Sequence, residues 1–290
     1  MLLVPRRPAP SRYDEVCEAG ASVVIRAYSS SFGMASRLLA EPVRTRICNV
    51  YALVRVADEI VDNPDRQVGP AARARMLTGL EEEVRHGRDS GHSANLVVHA
   101  FARTAGECGI DEELIGPFFD SMRMDLETTS HTPESFDRYV HGSAEVVGLM
   151  CLRVFLADEP DHDKRYERLS EGARRLGAAF QKVNFVRDLA EDHDVLGRSY
   201  FPGLDVSRFC DADRDRLLDD VDADLAAAAE ALPHLPRSSR RAVRAAHATF
   251  AELSTRLRAT PAEEIRQRRV RVPTAAKARL FAGALLGGRA

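Results

Sequence analysis

Tryptophan is absent from the 290 residues, aromatic side chains make up only 6%, and no apolar run approaches the roughly 20 residues of a membrane span. Cysteine is scarce and scattered. Cys17, Cys48, Cys108, Cys151 and Cys210 are odd in number and form no CxxC pair, which suggests neither a disulfide framework nor a zinc site. That usage points to a reducing cytoplasm. An excess of either charge is also missing: 41 basic and 44 acidic residues leave a net charge of −3, so nothing marks the whole chain as a nucleic-acid binder. Any charge-based function has to be local. The start, MLLVPRRPAPSRYDE, has too short an apolar run for a signal peptide. Residues 1–12 are expected to be a disordered lead and 13–290 a single domain. The tail, LFAGALLGGRA, reads as a frayed or surface-lying end, so the expected protein is soluble, at most peripheral to a membrane.

Alternating β patterns are nearly absent too, whereas apolar residues recur at three- and four-residue spacing from Tyr13 to Leu253. The chain therefore reads as all-α, with about ten helices broken at Glu41-Pro42, Asn63-Pro64, Gly91, Gly109, Thr132-Pro133, Pro160, Pro202-Gly203, Pro233 and Thr260-Pro261. Thr132 and Thr260 each precede a proline and are expected to cap a helix with that proline in its first turn; CGIDEELI puts acids in another first turn. VLGRSYFPGLDVSRF (195–209) is rich in loop formers and reads as an ordered loop.

Against this background the acids stand out. In VRVADEIVDN, Asp58 and Asp62 lie one helical turn apart on one face, with Arg55 three residues before Asp58, inside an otherwise apolar segment. The spacing returns in QKVNFVRDLAEDHD, where Gln181, Asn184, Asp188 and Asp192 form one stripe, Arg187 lies beside it and Glu191 and Asp194 extend its charge. Either pair alone is most simply a solvated helix face. Two pairs in apolar helices are what a hard cation such as Mg²⁺ needs when it joins a protein to a phosphate-bearing molecule.

Three further stretches carry two readings each. YSSSFGMASRLL is a plain helix start or a set of hydroxyls, Ser29 and Ser31, for phosphate oxygens. RYVHGSAEVVGLM, with Gly142, Ser143, Ala144 and Gly148, is tight helix packing or the wall of a channel for a long apolar ligand. The basic run with Arg266, Arg268, Arg269, Arg271, Lys277 and Arg279 is a solvated face or a cover for a diphosphate. EVRH (83–86) has the Glu-x-x-His spacing of a di-iron ligand pair but stands alone, so it reads as a surface turn and the di-iron bundle is set aside.

YSSSFGMASRLL, YALVRVADEIVD, YVHGSAEVVGLM and QKVNFVRDLAEDHDVLGRSYFP, in that order, resemble the squalene/phytoene synthase family, its bacterial phytoene-forming members most of all. The resemblance implies a single-domain isoprenoid synthase helical bundle around a central cavity, with aspartate-rich helices holding Mg²⁺ (or Mn²⁺) against prenyl diphosphates. It implies that Asp58, Asp62, Asn184, Asp188 and Asp192 hold metal, with Glu191 assisting. Arg55, Arg187, Lys277, Ser29 and Ser31 are implied to touch diphosphate, and Tyr139 and Gln181 to lie near the reacting carbons. The implied reaction is head-to-head condensation of two geranylgeranyl diphosphates to phytoene through a cyclopropyl intermediate, without NADPH. Squalene or dehydrosqualene formation from farnesyl diphosphate is the alternative, and a non-catalytic assembly factor of the same fold a more distant one. Three positions depart from the family pattern: Tyr28 where His is usual, Glu145 where a small residue is usual, and Leu253 where an aromatic is expected. Glu145 is expected to turn away from the channel or to pair with an arginine.

Overall fold

The computed structural model describes residues 9–29, 31–62 and 68–286. Fourteen α-helices occur among them: α1 (Arg12–Tyr28), α2 (Ser31–Ser36), α3 (Val43–Asp62), α4 (Pro70–Ser90), α5 (Leu96–Cys108), α6 (Glu112–Glu127), α7 (Pro133–Val140), α8 (Val146–Leu156), α9 (His162–Arg187), α10 (Leu189–Asp194), α11 (Asp211–Ala231), α12 (Arg237–Arg258), α13 (Ala262–Ile265) and α14 (Thr274–Leu286). A π-helical turn, His141–Glu145, joins α7 to α8. No strand forms among the described residues, where Ser130 and Ser199 make an isolated bridge. The all-α expectation holds, with more and shorter helices than the breakers alone indicate. Most of the expected lead, and the Asn63-Pro64 break, lie outside the described residues; α1 opens at Arg12 with Ser11 and Asp14 in a capping box.

Local chemistry explains the boundaries. Thr132 caps α7 in a reciprocal box with Ser135, and Asp111 accepts from the Glu113 amide at the start of α6. Thr260 does not cap: its hydroxyl donates back to the Arg256 carbonyl at 2.8 Å, and α13 begins only after Pro261. Turned back onto the preceding turn, that hydroxyl makes no bond to an amide of the next helix. EVRH is not a surface turn either. It lies within α4, where Glu83 accepts from the Ser93 hydroxyl at 2.7 Å.

Two large apolar clusters organise the bundle. One joins α3, α4, α5, α6 and α8 around Phe101, Phe118 and Phe119, all fully buried; the other joins α7, α9, α11 and α12 around Val183, Val186, Leu218 and Leu257. Full burial of such side chains stabilises by about 1.5–3 kcal/mol each. Between them the backbones come close. A Cβ on Gly142 would lie 2.2 Å from the Pro117 carbonyl oxygen, one on Gly148 2.4 Å from that of Ala173, and one on Gly177 2.3 Å from that of Ala144. The small residues of RYVHGSAEVVGLM therefore serve tight packing. The continuous stretch Pro133–Leu156 is, by length and composition, apolar enough to cross a membrane, contrary to the count from simple runs, but 56% of its apolar window is buried in the bundle.

Candidate active site

Helix α9 carries a stripe at helical spacing that changes character along its length. Leu169, Gly172, Leu176 and Phe180 line a cavity of about 520 Å³, and Gln181, Asn184 and Arg187 continue the same face at its polar end. At 1.5 Å per residue, Leu169 to Arg187 spans about 27 Å. Ser143, Ala144 and Gly148 from the π turn and α8 line the same space, so both readings of that stretch apply. The deep end is closed by Leu152, Leu232, Leu235 and Val243, and the mouth is formed by Tyr28, Ser29, Arg55 and Arg269. A second cavity of about 600 Å³ shares Tyr28, Arg187, Phe250 and Arg269 with the first and adds Arg271 and Lys277. Of the basic run, Arg269, Arg271 and Lys277 thus border the mouth, and Arg266, Arg268 and Arg279 line neither cavity.

The acidic stripes meet near this mouth. Helix α3 runs unbroken through Asp58 and Asp62. The second stripe is not on one continuous helix: α9 stops at Arg187, and Asp188 turns (φ −100°, ψ 10°) before α10. The stripe survives because the Asp188 amide still donates to Asn184 O at 2.8 Å and the Asp192 amide to Asp188 O at 2.9 Å. Arg198 bridges the stripes of α3 and α10, its Nη1 2.6 Å from Asp62 Oδ1 and its amide donating to Asp192 O at 2.9 Å, and burial with the charges of Asp188 and Asp62 pushes the Asp192 carboxyl up to about 8. Burial and Asp62 likewise push Asp58 up to about 8, against the pull of Arg55.

Cationic side chains hold the rest. Asp188 is clamped by Arg187 (Nε to Oδ1, 2.8 Å) and by Arg269 (Nε to Oδ1, 2.7 Å). Arg55 pairs with Glu59 and lies over the Tyr28 ring at 4.5 Å, while its Nε is buried without a partner. This accounts for Glu59, and it places Tyr28 as a cation–π platform for Arg55. Lys277 lies in the second cavity, where burial and the neighbouring Arg187 and Arg271 lower its pKa. Ser29 caps α2, accepting from the Phe32 and Gly33 amides at 3.1 and 3.3 Å. The side chain of Ser31 lies outside the described residues.

Glu145 turns away from the channel, whose lining it does not join, and pairs not with an arginine but with His141 Nδ1 at 2.9 Å, across the π turn. Leu253 is buried on α12 and lines the second cavity. The aromatic on that face is Phe250, one turn earlier, stacked on Phe180 at 3.8 Å.

Tyr139 is buried and does not line the cavity; its hydroxyl donates to Asp125 Oδ2 at 2.9 Å. Asp125, Arg198 and Tyr200 are absent from the sequence-derived set. Tyr200 donates to Asp125 Oδ1 at 3.2 Å, and Arg198 Nη1 lies 2.6 Å from Asp62 Oδ1 and 3.5 Å from Asp125 Oδ1. Asp125 has no acid at helical spacing on its own face, and Arg198 sits in what reads as a loop, so local spacing marks neither.

Among the described residues no group of three or more His, Cys, Asp or Glu forms a ready-made metal centre. The donors nevertheless fit a hard divalent cation. They are oxygens; the Asp58 and Asp192 carboxyls repel their neighbours; and Asn184 Oδ1 is buried with no hydrogen-bond partner. The arrangement can bring cations and arginines to a polyanion at the entrance of an apolar tunnel.

Sequence comparison bears on what that entrance serves. Residues 25–276 match the family model for squalene/phytoene synthase. The chain belongs to the squalene/phytoene synthase family. Its relatives include a phytoene synthase of Mycobacterium tuberculosis, 27% identical over 90% of this chain and 88% of that protein. Another is chloroplastic phytoene synthase 3 of Zea mays, 30% identical over 66% of this chain. The chain spans about half the length of the plant relatives it matches, 44% of the maize protein and 50% of a tomato one. In fold it is similar to the crystal structure of a dehydrosqualene synthase, with TM-score 0.77, 20% identity and coverage of 94% of this chain and 97% of that one. A squalene synthase from Alicyclobacillus acidocaldarius aligns with TM-score 0.72 and 21% identity over 86% of this chain and 96% of that one. The squalene/phytoene synthase fold is thus the fold of this chain.

Proposed function

We propose that the protein joins two molecules of geranylgeranyl diphosphate head to head to give phytoene. The observation that carries this reading is the meeting of two acidic stripes, bridged by Arg198, near the mouth of a tunnel whose deep wall is apolar. Phytoene synthases that match over most of both chains support the C20 substrate, as does a lining that runs about 27 Å along α9.

In this reading Asp58, Asp62, Asn184, Asp188 and Asp192 hold Mg²⁺ or Mn²⁺, which when bound supplies positive charge to the leaving diphosphate. Arg55, Arg187, Arg269 and Lys277 bind the diphosphate groups, and Ser29 and Gln181 border them. Loss of diphosphate from one substrate leaves an allylic cation. The double bond of the second substrate attacks it, and loss of a proton closes a cyclopropane that keeps the second diphosphate. Departure of that group and rearrangement, again with loss of a proton, complete the product without a reductant. Tyr139 is held beside this region, and the apolar walls exclude water that would quench the cations.

The test is product analysis after incubation with Mg²⁺ and either geranylgeranyl or farnesyl diphosphate, with and without NADPH. Phytoene from the first supports the reading. Dehydrosqualene or squalene made from farnesyl diphosphate in preference would replace it, and release of no diphosphate from either would end it.

A further inference from the structure

Asp125 lies on α6 and belongs to neither acidic stripe, with its side chain 5% exposed. A carboxylate so buried needs compensation. It accepts from the hydroxyls of Tyr139 (2.9 Å) and Tyr200 (3.2 Å) and faces the Arg198 guanidinium at 3.5 Å. Arg198 is itself buried and shared: Nη1 bonds Asp62 Oδ1 at 2.6 Å and Tyr200 at 3.2 Å, and Nη2 donates to the Val61 carbonyl at 3.0 Å. The loop bearing Arg198 is fixed at both sides, because the Arg198 amide donates to Asp192 O at 2.9 Å and the Ser199 amide to Thr129 O at 2.8 Å. One guanidinium therefore stands between two carboxylates, one of them in the proposed cation site.

We propose that Asp125 is a positioning residue that acts through Arg198, holding the guanidinium when a divalent cation takes Asp62, while the same carboxylate fixes the Tyr139 hydroxyl. The inference rests on the reading of Asp62 as a cation ligand. A cation arriving at Asp62 displaces the positive charge already there. That charge cannot follow into water, since Arg198 is 8% exposed, and Asp125, 5% exposed against 41% for Asp62, is the buried carboxylate it also faces. Without Asp125 the guanidinium keeps, among the described residues, Asp62 as its one carboxylate within 4 Å, with the charge of Asp192 beyond it, and competes with the metal for Asp62. Stacking of Tyr200 on Phe185 at 4.0 Å and of Tyr139 on Tyr200 at 5.2 Å keeps the frame in place during the exchange.

The experiment is titration of the full chain with Mn²⁺ alone, followed by the electron paramagnetic resonance signal of the free ion, for wild type, Asp125→Asn, Arg198→Gln and the double variant. Partners behind a ligand are worth about 10–100-fold in metal affinity, so Asp125→Asn should weaken binding about tenfold or more. Arg198→Gln, which removes the competitor, should bind at least as tightly as wild type, and the double variant should match Arg198→Gln. A general loss of structure would not produce opposite signs. Equal binding by Asp125→Asn and wild type overturns the proposal, as does a double variant as weak as Asp125→Asn, or a wild type that takes up no Mn²⁺. Should Asp125→Asn fail to fold by circular dichroism, weakened binding in Arg198→Gln overturns it and retained binding supports it. Turnover of geranylgeranyl and farnesyl diphosphate by the wild type is measured in parallel. Its failure strikes the proposed reaction, whereas the Mn²⁺ comparison judges Asp125 by itself.

Discussion

Arg269 Nε lies 2.7 Å from Asp188 Oδ1, joining the segment after α13 to the turn between α9 and α10. Arg187 holds the same carboxylate, so Asp188 is satisfied by two guanidiniums while Asp192, one turn on, is repelled by its neighbours. Within one stripe, then, one acid is already neutralised and the other is not.

Replacing Arg269 with Gln should separate two effects. The clamp on Asp188 is lost, but so is a cation for the diphosphate. A hydrogen bond to a charged group contributes about 1.5–3 kcal/mol, so KM for the prenyl diphosphate should rise about tenfold or more, with a smaller change in kcat. Steady-state kinetics at fixed Mg²⁺ checks this, and an unchanged KM would remove Arg269 from the substrate site.

The raised carboxyls of Asp58 and Asp192 make a signed statement about pH. An acid whose pKa is higher folded than unfolded favours the native state while protonated. The contribution of these two groups is fully present below the ordinary value of 3.8 and is lost as pH rises to about 8. In EDTA, the contribution of these groups to Tm should therefore fall between pH 4 and pH 8. Asp192→Asn should flatten that slope, and Mg²⁺ with inorganic diphosphate should raise Tm more at pH 8 than at pH 6. Thermal melts across this range, compared between wild type and variant, decide it.

Asp58→Ala should abolish turnover yet leave the metal-free protein at least as stable as wild type, because it removes a half-buried, repelled acid rather than a packing contact. Loss of product formation alongside an unchanged or higher Tm is the expected pair of results. Retained activity would end its assignment as a metal ligand.

Gly177→Ala tests the close crossing of α9 on the π turn. Its new Cβ would meet the Ala144 carbonyl oxygen at 2.3 Å, and neither backbone can yield cheaply. Overpacking of this kind costs about 1–3 kcal/mol, so Tm should drop by several degrees. Gly79, whose Cβ would meet nothing within 4 Å, is the control and should tolerate alanine.

Helical periodicity and breaker residues made the bundle legible from sequence, because period and turn chemistry act locally. The acidic pairs were legible for the same reason: DxxxD spacing sets two carboxylates on one face of any helix. Thr260 misled because a hydroxyl can bond the turn behind it as readily as the one ahead. Glu145 found His141, and not an arginine, because the π turn sets those two side chains together.

The sequence by itself determined which faces are apolar, several helix starts such as Thr132 before α7, and that two polar stripes interrupt apolar segments. Only the tertiary structure decided that the stripes of Asp62 and Asp192 meet across Arg198, that Arg269 closes on Asp188, and that Arg198 is shared between Asp62 and Asp125. The physical reason is range. Hydrophobic periodicity and capping act within a few residues, whereas the energy of a buried charge depends on every charge that packing brings near it, whatever the distance along the chain.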